Sequence, residues 1–225
     1  SRYELLERVG MGGMAVVYKA KDIMLNRYVA VKILREEYKE NEEFIRRFKV
    51  ESQAAASLSH QNIVQIYDVG EEDGLHYIVM ELLEGETLTS FLNRVGRVDE
   101  DQAIEMLTPV MNSLNVVHQA GILHRDIAPD NIFLTSKGEV KLIDFGASRF
   151  ATTSHSRSLT VIIKPGYSPE EQYRSRGDQG PYTDVYAIAA TMYKMITGKT
   201  PPDAMERRAK YENQNKDILV EPHKI

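Results

Sequence analysis

The chain has 225 residues, 42% of them hydrophobic and 27% charged, enough to bury one large core or two modest lobes. A formal net charge of -5 argues against general nucleic-acid binding, and the absence of cysteine removes any disulfide framework or thiolate metal site. Apolar runs such as Val161-Ile162-Ile163 fall far short of a membrane span, and no signal-like segment opens the chain. The start at Ser1, without an initiator methionine, reads as a domain excised from a larger protein. Its expected location is cytoplasmic, alone or as the cytoplasmic domain of that larger protein.

Residues 3–9, 15–20 and 27–34 are rich in β-branched and aromatic side chains and are separated by turn residues, so three strands are expected. Residues 42–58 carry Phe44, Phe48, Glu51, Ala55 and Leu58 at helical spacing along one stripe, which therefore contains a carboxylate. Two more strands, 63–69 and 75–81, flank the turn at Glu71-Glu72-Asp73-Gly74, and residues 82–86 read as a crossing into a helical region. The strongest helix spans 99–119. Asp99 can cap it with Gln102 three residues on, Leu107, Val110, Leu114 and Val117 form its stripe, and Pro109 is expected to kink it or mark an irregularity. Short strands at 132–134 and 140–143 precede a polar stretch at 147–160. An apolar helix at 184–197 ends at Gly198, and the polar tail from 203 onward is expected to be partly helical or frayed.

Chemistry concentrates in two turns, His124-Arg125-Asp126-Ile127-Ala128-Pro129-Asp130-Asn131 and, one hairpin later, Asp144-Phe145-Gly146. An isolated carboxylate, a carboxamide and a second carboxylate on adjacent turns form the constellation that phosphoryl transfer from a metal nucleotide requires. One aspartate must take or orient the proton of an attacking hydroxyl, while the asparagine and the other aspartate hold magnesium. Period-two alternation puts Ala30, Lys32 and Leu34 on one face of a strand. A buried ammonium needs a carboxylate, and Glu51, on the inward stripe of the one helix in this half, is the natural candidate. Gly10-Met11-Gly12-Gly13 lies between two strands, a context that favours a β-hairpin folded over phosphates and argues against a dinucleotide-binding turn.

Read as HRDxxxxN followed by DFG, these residues closely resemble the protein-kinase signature set, and the resemblance extends over roughly the whole chain. It implies an α+β, two-lobed protein-kinase-like fold. A small antiparallel-sheet N-lobe with one main helix would occupy residues 1–80, a hinge 81–86 and a mainly helical C-lobe 87–225. It implies ATP and Mg2+ as cofactors, with the nucleotide held by Val9, Gly10, Gly12, Gly13, Val17, Ala30, Lys32, Met80, Glu81, Leu83, Phe133 and Asp144. Val17 would cover adenine, Met80 would be the gatekeeper, Glu81 C=O and Leu83 N–H would meet the purine, and Phe133 would floor its pocket. Lys32, Glu51, Asp126 and Asn131 are the implied catalytic set, with Asn131 and Asp144 as metal ligands. His124 is expected to be structural beneath Phe145, and Arg125 to receive a phosphate from Ser158 or Thr160. Ser168-Pro169-Glu170 stands at the APE position, and Asp184 matches the helix aspartate that supports the catalytic loop.

Several positions depart from the pattern. Ala15 replaces a third glycine, which is tolerable if that residue keeps negative φ. The family's last helices, including the arginine that pairs with Glu170, fall beyond the end of the chain, so the C-lobe is expected to be truncated. Ala128 stands where serine/threonine kinases carry a lysine, and Lys164 stands where they carry a threonine. One lysine lost and one gained suggests that Lys164 reaches the place of the missing ammonium beside Asp126. The expected activity is that of a protein serine/threonine kinase of bacterial style acting on protein substrates, with self-association for trans-autophosphorylation allowed. The rivals are a tyrosine or dual-specificity kinase, an aminoglycoside-type phosphotransferase, and a pseudokinase scaffold, which intact Lys32, Asp126, Asn131 and Asp144 disfavour.

Overall fold

The computed structural model describes residues 2–13, 15–145, 149–150, 163–174 and 178–225; for Arg47, Glu51, Arg149 and Phe150 it describes the backbone alone. The chain divides into two compact units, Ser1–Glu84 and Gly85–Ile225. That division falls inside residues 81–86.

In the first unit, β1 (Tyr3–Met11), β2 (Ala15–Asp22), β3 (Arg27–Leu34), β4 (Ile66–Glu72) and β5 (Leu75–Met80) form an antiparallel sheet in the order β1-β2-β3-β5-β4. Strict alternation along β3 sorts its side chains. Val29 and Val31 join Tyr3, Ala20 and Val79 in one buried cluster, whereas Leu34 joins Ala15, Ile78 and Phe48 in another. Phe48 belongs to α1 (Glu42–Ala56), so this helix covers the face that carries Ala30, Lys32 and Leu34. Asn41 starts α1 by accepting hydrogen bonds from the N–H groups of Glu43 (3.1 Å) and Phe44 (3.3 Å). β4 begins at Ile66, three residues later than expected: Ile63, an isolated bridge residue after the turn at 61–62, and Val64 are buried ahead of the ladder. Apolar composition alone does not separate a buried irregular segment from a buried strand.

In the second unit, β6 (Gly85–Thr87) is followed by α2 (Leu88–Val95), α3 (Glu100–Gln119) and β7 (Ile122–Leu123). β8 (Ile132–Thr135) and β9 (Val140–Leu142) form a hairpin that β6 extends to three strands, and β7 pairs with β10 (Arg149–Phe150). α4 (Pro181–Thr197) packs on α3, and α5 (Ala204–Gln214) follows. Asp99 caps α3 through Gln102 N–H at 2.8 Å, and the Leu107, Val110, Leu114 and Val117 stripe is buried. α3 runs as one continuous helix through Pro109. The carbonyl freed by proline belongs to Glu105, which is exposed, so water can satisfy it at little cost. α4 starts three residues before the expected Asp184, because Pro181 suits the first helical position, where no N–H is needed. It ends at Gly198, whose φ of +74° favours glycine. The tail forms α5, capped by Asp203. Among the described residues no helix is long and apolar enough to cross a membrane.

Together these units give an antiparallel sheet with one main helix and a mainly helical partner, the α+β arrangement expected.

Candidate active site

The loop from His124 to Asn131 joins β7 to β8 and is held from below by Asp184, which α4 delivers fully buried. Asp184 accepts hydrogen bonds from the backbone N–H groups of His124 (2.9 Å) and Arg125 (2.8 Å), and His118 Nε2 of α3 lies 2.8 Å away. Burial alone would raise this carboxyl, but the His118 contact and the two N–H donors hold it below the ordinary carboxylate range. Two successive N–H groups can point at one carboxylate because Arg125 adopts φ +67°, a conformation rare outside glycine. Its carbonyl in turn accepts Gln172 Nε2 at 2.8 Å. The loop is therefore clamped through both its N–H groups and its carbonyl.

His124 is fully buried, with its ring centroid 4.7 Å from that of Phe145. Burial pushes its pKa down, so the ring is a neutral packing element, and its Nδ1 accepts the Asp126 N–H at 3.3 Å.

Asp126 keeps 20% of its side chain exposed. Asn131 Nδ2 donates both to the Asp126 carbonyl and to its Oδ2, each at 2.8 Å, which ties the two residues into one rigid turn. Lys164 Nζ lies 2.8 Å from Asp126 Oδ1, and 2.9 and 3.0 Å from the two oxygens of Asp130. Burial raises the Asp126 carboxyl, with Lys164 opposing the shift; burial would lower Lys164, yet Asp126 and Asp130 raise it instead. Ala128 is buried and extended.

The β8–β9 hairpin relates Asn131 to Asp144. Ile143 N–H donates to the Asn131 carbonyl at 2.9 Å, so Asp144 follows directly beyond the strand opposite Asn131. Asp144 is exposed and turns the chain with φ +60°. Phe133 is half-buried on β8. Glu170 meets Arg174 at 2.5 Å and Arg208 at 2.7 Å. Glu170 is nonetheless partnered: two other guanidinium groups, one from the neighbouring turn and one from α5, reach it. The fold brings α5 beside residues 169–171, a proximity that no sequence spacing announces.

In the first unit, the hairpin of β1 and β2 pairs Gly10 with Val17 and Met11 with Val16, and Gly12 N–H donates to the Ala15 carbonyl at 2.9 Å. Val9, Gly12 and Gly13 are exposed. Ala15 is buried against Leu34 and Phe48, and it is not among the residues with positive φ. Lys32 is buried on β3 between Val17 of β2 and Ile78 of β5, and Ala30 is opposite Met80. Glu81 N–H donates to the Gln65 carbonyl at 2.9 Å, which ties the segment after β5 to the chain before β4; Leu83 is half-buried. Glu51 lies within α1, but its side chain is outside the described residues, so the expected Lys32–Glu51 pair is too. Ser158 and Thr160, like Ser154 and Ser156, also lie outside them.

Three residues that hold this site were given no role by the sequence. His118 and Gln172 act across 66 and 47 residues of chain. Asp130 is only four residues from Asp126, and that spacing was the one available signal.

A family model described as the protein kinase domain matches residues 3–224. A probable serine/threonine-protein kinase of Clostridium perfringens is 44% identical over 205 residues, covering 89% of this chain and 29% of the relative. The serine/threonine-protein kinase PrkC of Bacillus subtilis is 42% identical over 203 residues, 90% of this chain and 31% of the relative. PknL of Mycobacterium tuberculosis is 38% identical over 203 residues, 89% of this chain and 50% of the relative. The chain thus spans between about a third and a half of the length of these curated relatives.

Proposed function

The chain belongs to the protein kinase domain family, and from that premise we propose that it transfers the γ-phosphoryl group of ATP to serine or threonine hydroxyls of proteins, on the cytoplasmic side where ATP is found. The observation that carries this reading is Asp126, part-exposed and fixed by Asn131 on a loop clamped by Asp184 and Gln172. A hydroxyl delivered to Asp126 meets an acceptor already oriented, so little reorganisation remains in the transition state. The hydroxyl oxygen forms the new bond to phosphorus as the bond to the bridging oxygen breaks. The electron pair leaves with ADP, and the hydroxyl proton passes to Asp126.

The donor set suits magnesium, which takes few protein ligands and prefers oxygen. Both amide hydrogens of Asn131 are directed to Asp126, which leaves the carboxamide oxygen for a cation, and the exposed Asp144 carboxylate follows on the partner strand. Bound there, the ion would neutralise charge on the β- and γ-phosphates. Lys32, paired with Glu51, would hold the phosphates, and Val9, Gly10, Gly12 and Gly13 would cover them with exposed backbone. Val17, Ala30, Met80 and Phe133 would contact adenine, with Glu81 C=O and Leu83 N–H as its hydrogen-bond partners. Arg125 would receive a phosphate placed on Ser158 or Thr160, ordering the segment through charge-assisted hydrogen bonds, and self-association would allow that phosphate to be placed in trans.

Labelled ATP with a generic protein substrate, followed by phosphoamino-acid analysis, tests the reading. Phosphoserine or phosphothreonine is expected. Phosphotyrosine alone would move the assignment to the tyrosine class, and nucleotide binding without transfer would leave a scaffold.

A further inference from the structure

Lys164 stands on the turn at residues 163–168 rather than on the loop that carries Asp126, yet its ammonium is shared between Asp126 and Asp130. The backbone under this lysine is fixed. Its N–H donates to Ser168 Oγ at 2.9 Å, and its carbonyl accepts the N–H groups of Tyr167 and Ser168 at 2.9 and 3.0 Å. Gly166 has φ +85° and packs so closely that a Cβ there would lie 2.7 Å from the Pro201 carbonyl and from Thr200 Cγ2. The turn is therefore seated where only glycine fits, and it aims Lys164 at the loop.

The exposures divide the two carboxylates by task. Asp130 is 55% exposed and holds the ammonium with both oxygens, whereas Asp126 is 20% exposed and offers one, its other oxygen being taken by Asn131. A lysine that merely needed a counter-ion would be satisfied at Asp130, in water, at no desolvation cost. Reaching Asp126 as well places a cation in the half-buried site. A hydroxyl that donates to Asp126 lies within about 3 Å of it, so a phosphoryl group in line with that hydroxyl falls within reach of the same ammonium.

We infer that Lys164 is the cation that meets the transferring phosphoryl group, and that Asp130 is a positioning residue that keeps the ammonium there when Asp126 accepts the substrate hydroxyl. This rests on the kinase reading above. Charge that develops on the phosphoryl oxygens would be met by a donor already in place. Ala128, buried and without a polar group, adds no charge of its own to the loop.

The test compares Lys164→Met, Lys164→Arg, Asp130→Asn and the Lys164→Met/Asp130→Asn double variant of the full chain by kcat, by KM for ATP and by thermal unfolding. Lys164→Met should lower kcat by about 10²- to 10³-fold while KM for ATP moves less than about threefold. Lys164→Arg should keep kcat within about tenfold, because the charge remains. Asp130→Asn should cost about three- to tenfold in the wild-type background and almost nothing further beside Lys164→Met, since the two act through one another. Unchanged or increased kcat in Lys164→Met would overturn the inference, as would independent, multiplicative losses in the double variant. Should Lys164→Met unfold, the Arg and Asn variants decide alone: full activity in Asp130→Asn with a dead Lys164→Arg refutes the pairing. Asp126→Asn is the control. If it too keeps full turnover the kinase reading itself has failed, whereas a dead Asp126→Asn beside an active Lys164→Met defeats only the role of Lys164.

Discussion

Asp126 and Asp184 are the same residue type in the same unit, joined through one loop, and the fold treats them in opposite ways. Asp184 is fully buried and its partners are donors fixed in the backbone and in α3. Those partners outweigh burial and hold its carboxyl below the ordinary range. Asp126 is part-exposed, its carboxylate is met by side chains alone, and burial prevails, raising its carboxyl. Rigid backbone donors make a carboxylate structural; side-chain donors that can be exchanged leave it available for chemistry. The cost of removing each should therefore appear in different measurements.

The largest effect is expected in rate. Asp126→Asn should lower the chemical step by about 10²- to 10⁴-fold, with nucleotide affinity and thermal unfolding nearly unchanged. Asp144→Asn should weaken metal-nucleotide binding as well, measured by titration with Mg-ATP; equal losses of binding in the two variants would erase the distinction between them. Lys32→Met belongs to the same scale and should remove nearly all transfer while circular dichroism shows an intact fold.

Asp184→Ala should act on stability instead. It strands two buried backbone N–H groups, which places its cost at about 3–5 kcal/mol in denaturant unfolding. A variant that stayed as stable as the parent but lost turnover would mean that Asp184 is not the structural member of the pair. His118→Phe removes one of the three partners and should cost less, about 1–2 kcal/mol.

The pH dependence carries the same contrast with a definite sign. Because the folded-state pKa of Asp184 is depressed, its stabilisation is fully present above the unfolded-state value of about 3.9 and is lost as pH falls through the lower folded value. Asp184→Asn should flatten acid unfolding below about pH 4 relative to the parent. The smallest effect is at a helix end: Asp99→Ala should cost about 1 kcal/mol by freeing Gln102 N–H, with no change in kcat.

Local patterns carried much of the fold. The alternation along residues 27–34 was enough to put Lys32 on the face that α1 covers, because strand geometry reverses successive side chains whatever surrounds them. The cap at Asp99 and the stop at Gly198 were equally legible, since each depends on residues within one turn of the helix. The short β6 and β10 carry too few residues to show a pattern and exist only because β8 and β7 offer them a ladder. At the site, the order of the sequence was enough to put Asp126, Asn131 and Asp144 on adjacent turns, because they lie in two short loops joined by one hairpin. It anticipated the reach of Lys164 to Asp126 and the support of the loop by Asp184, but not the further partners. His118, Gln172 and the pairing of Lys164 with Asp130 join segments 34 to 66 residues apart, and such meetings are set by how helices and turns pack, not by any period along the chain.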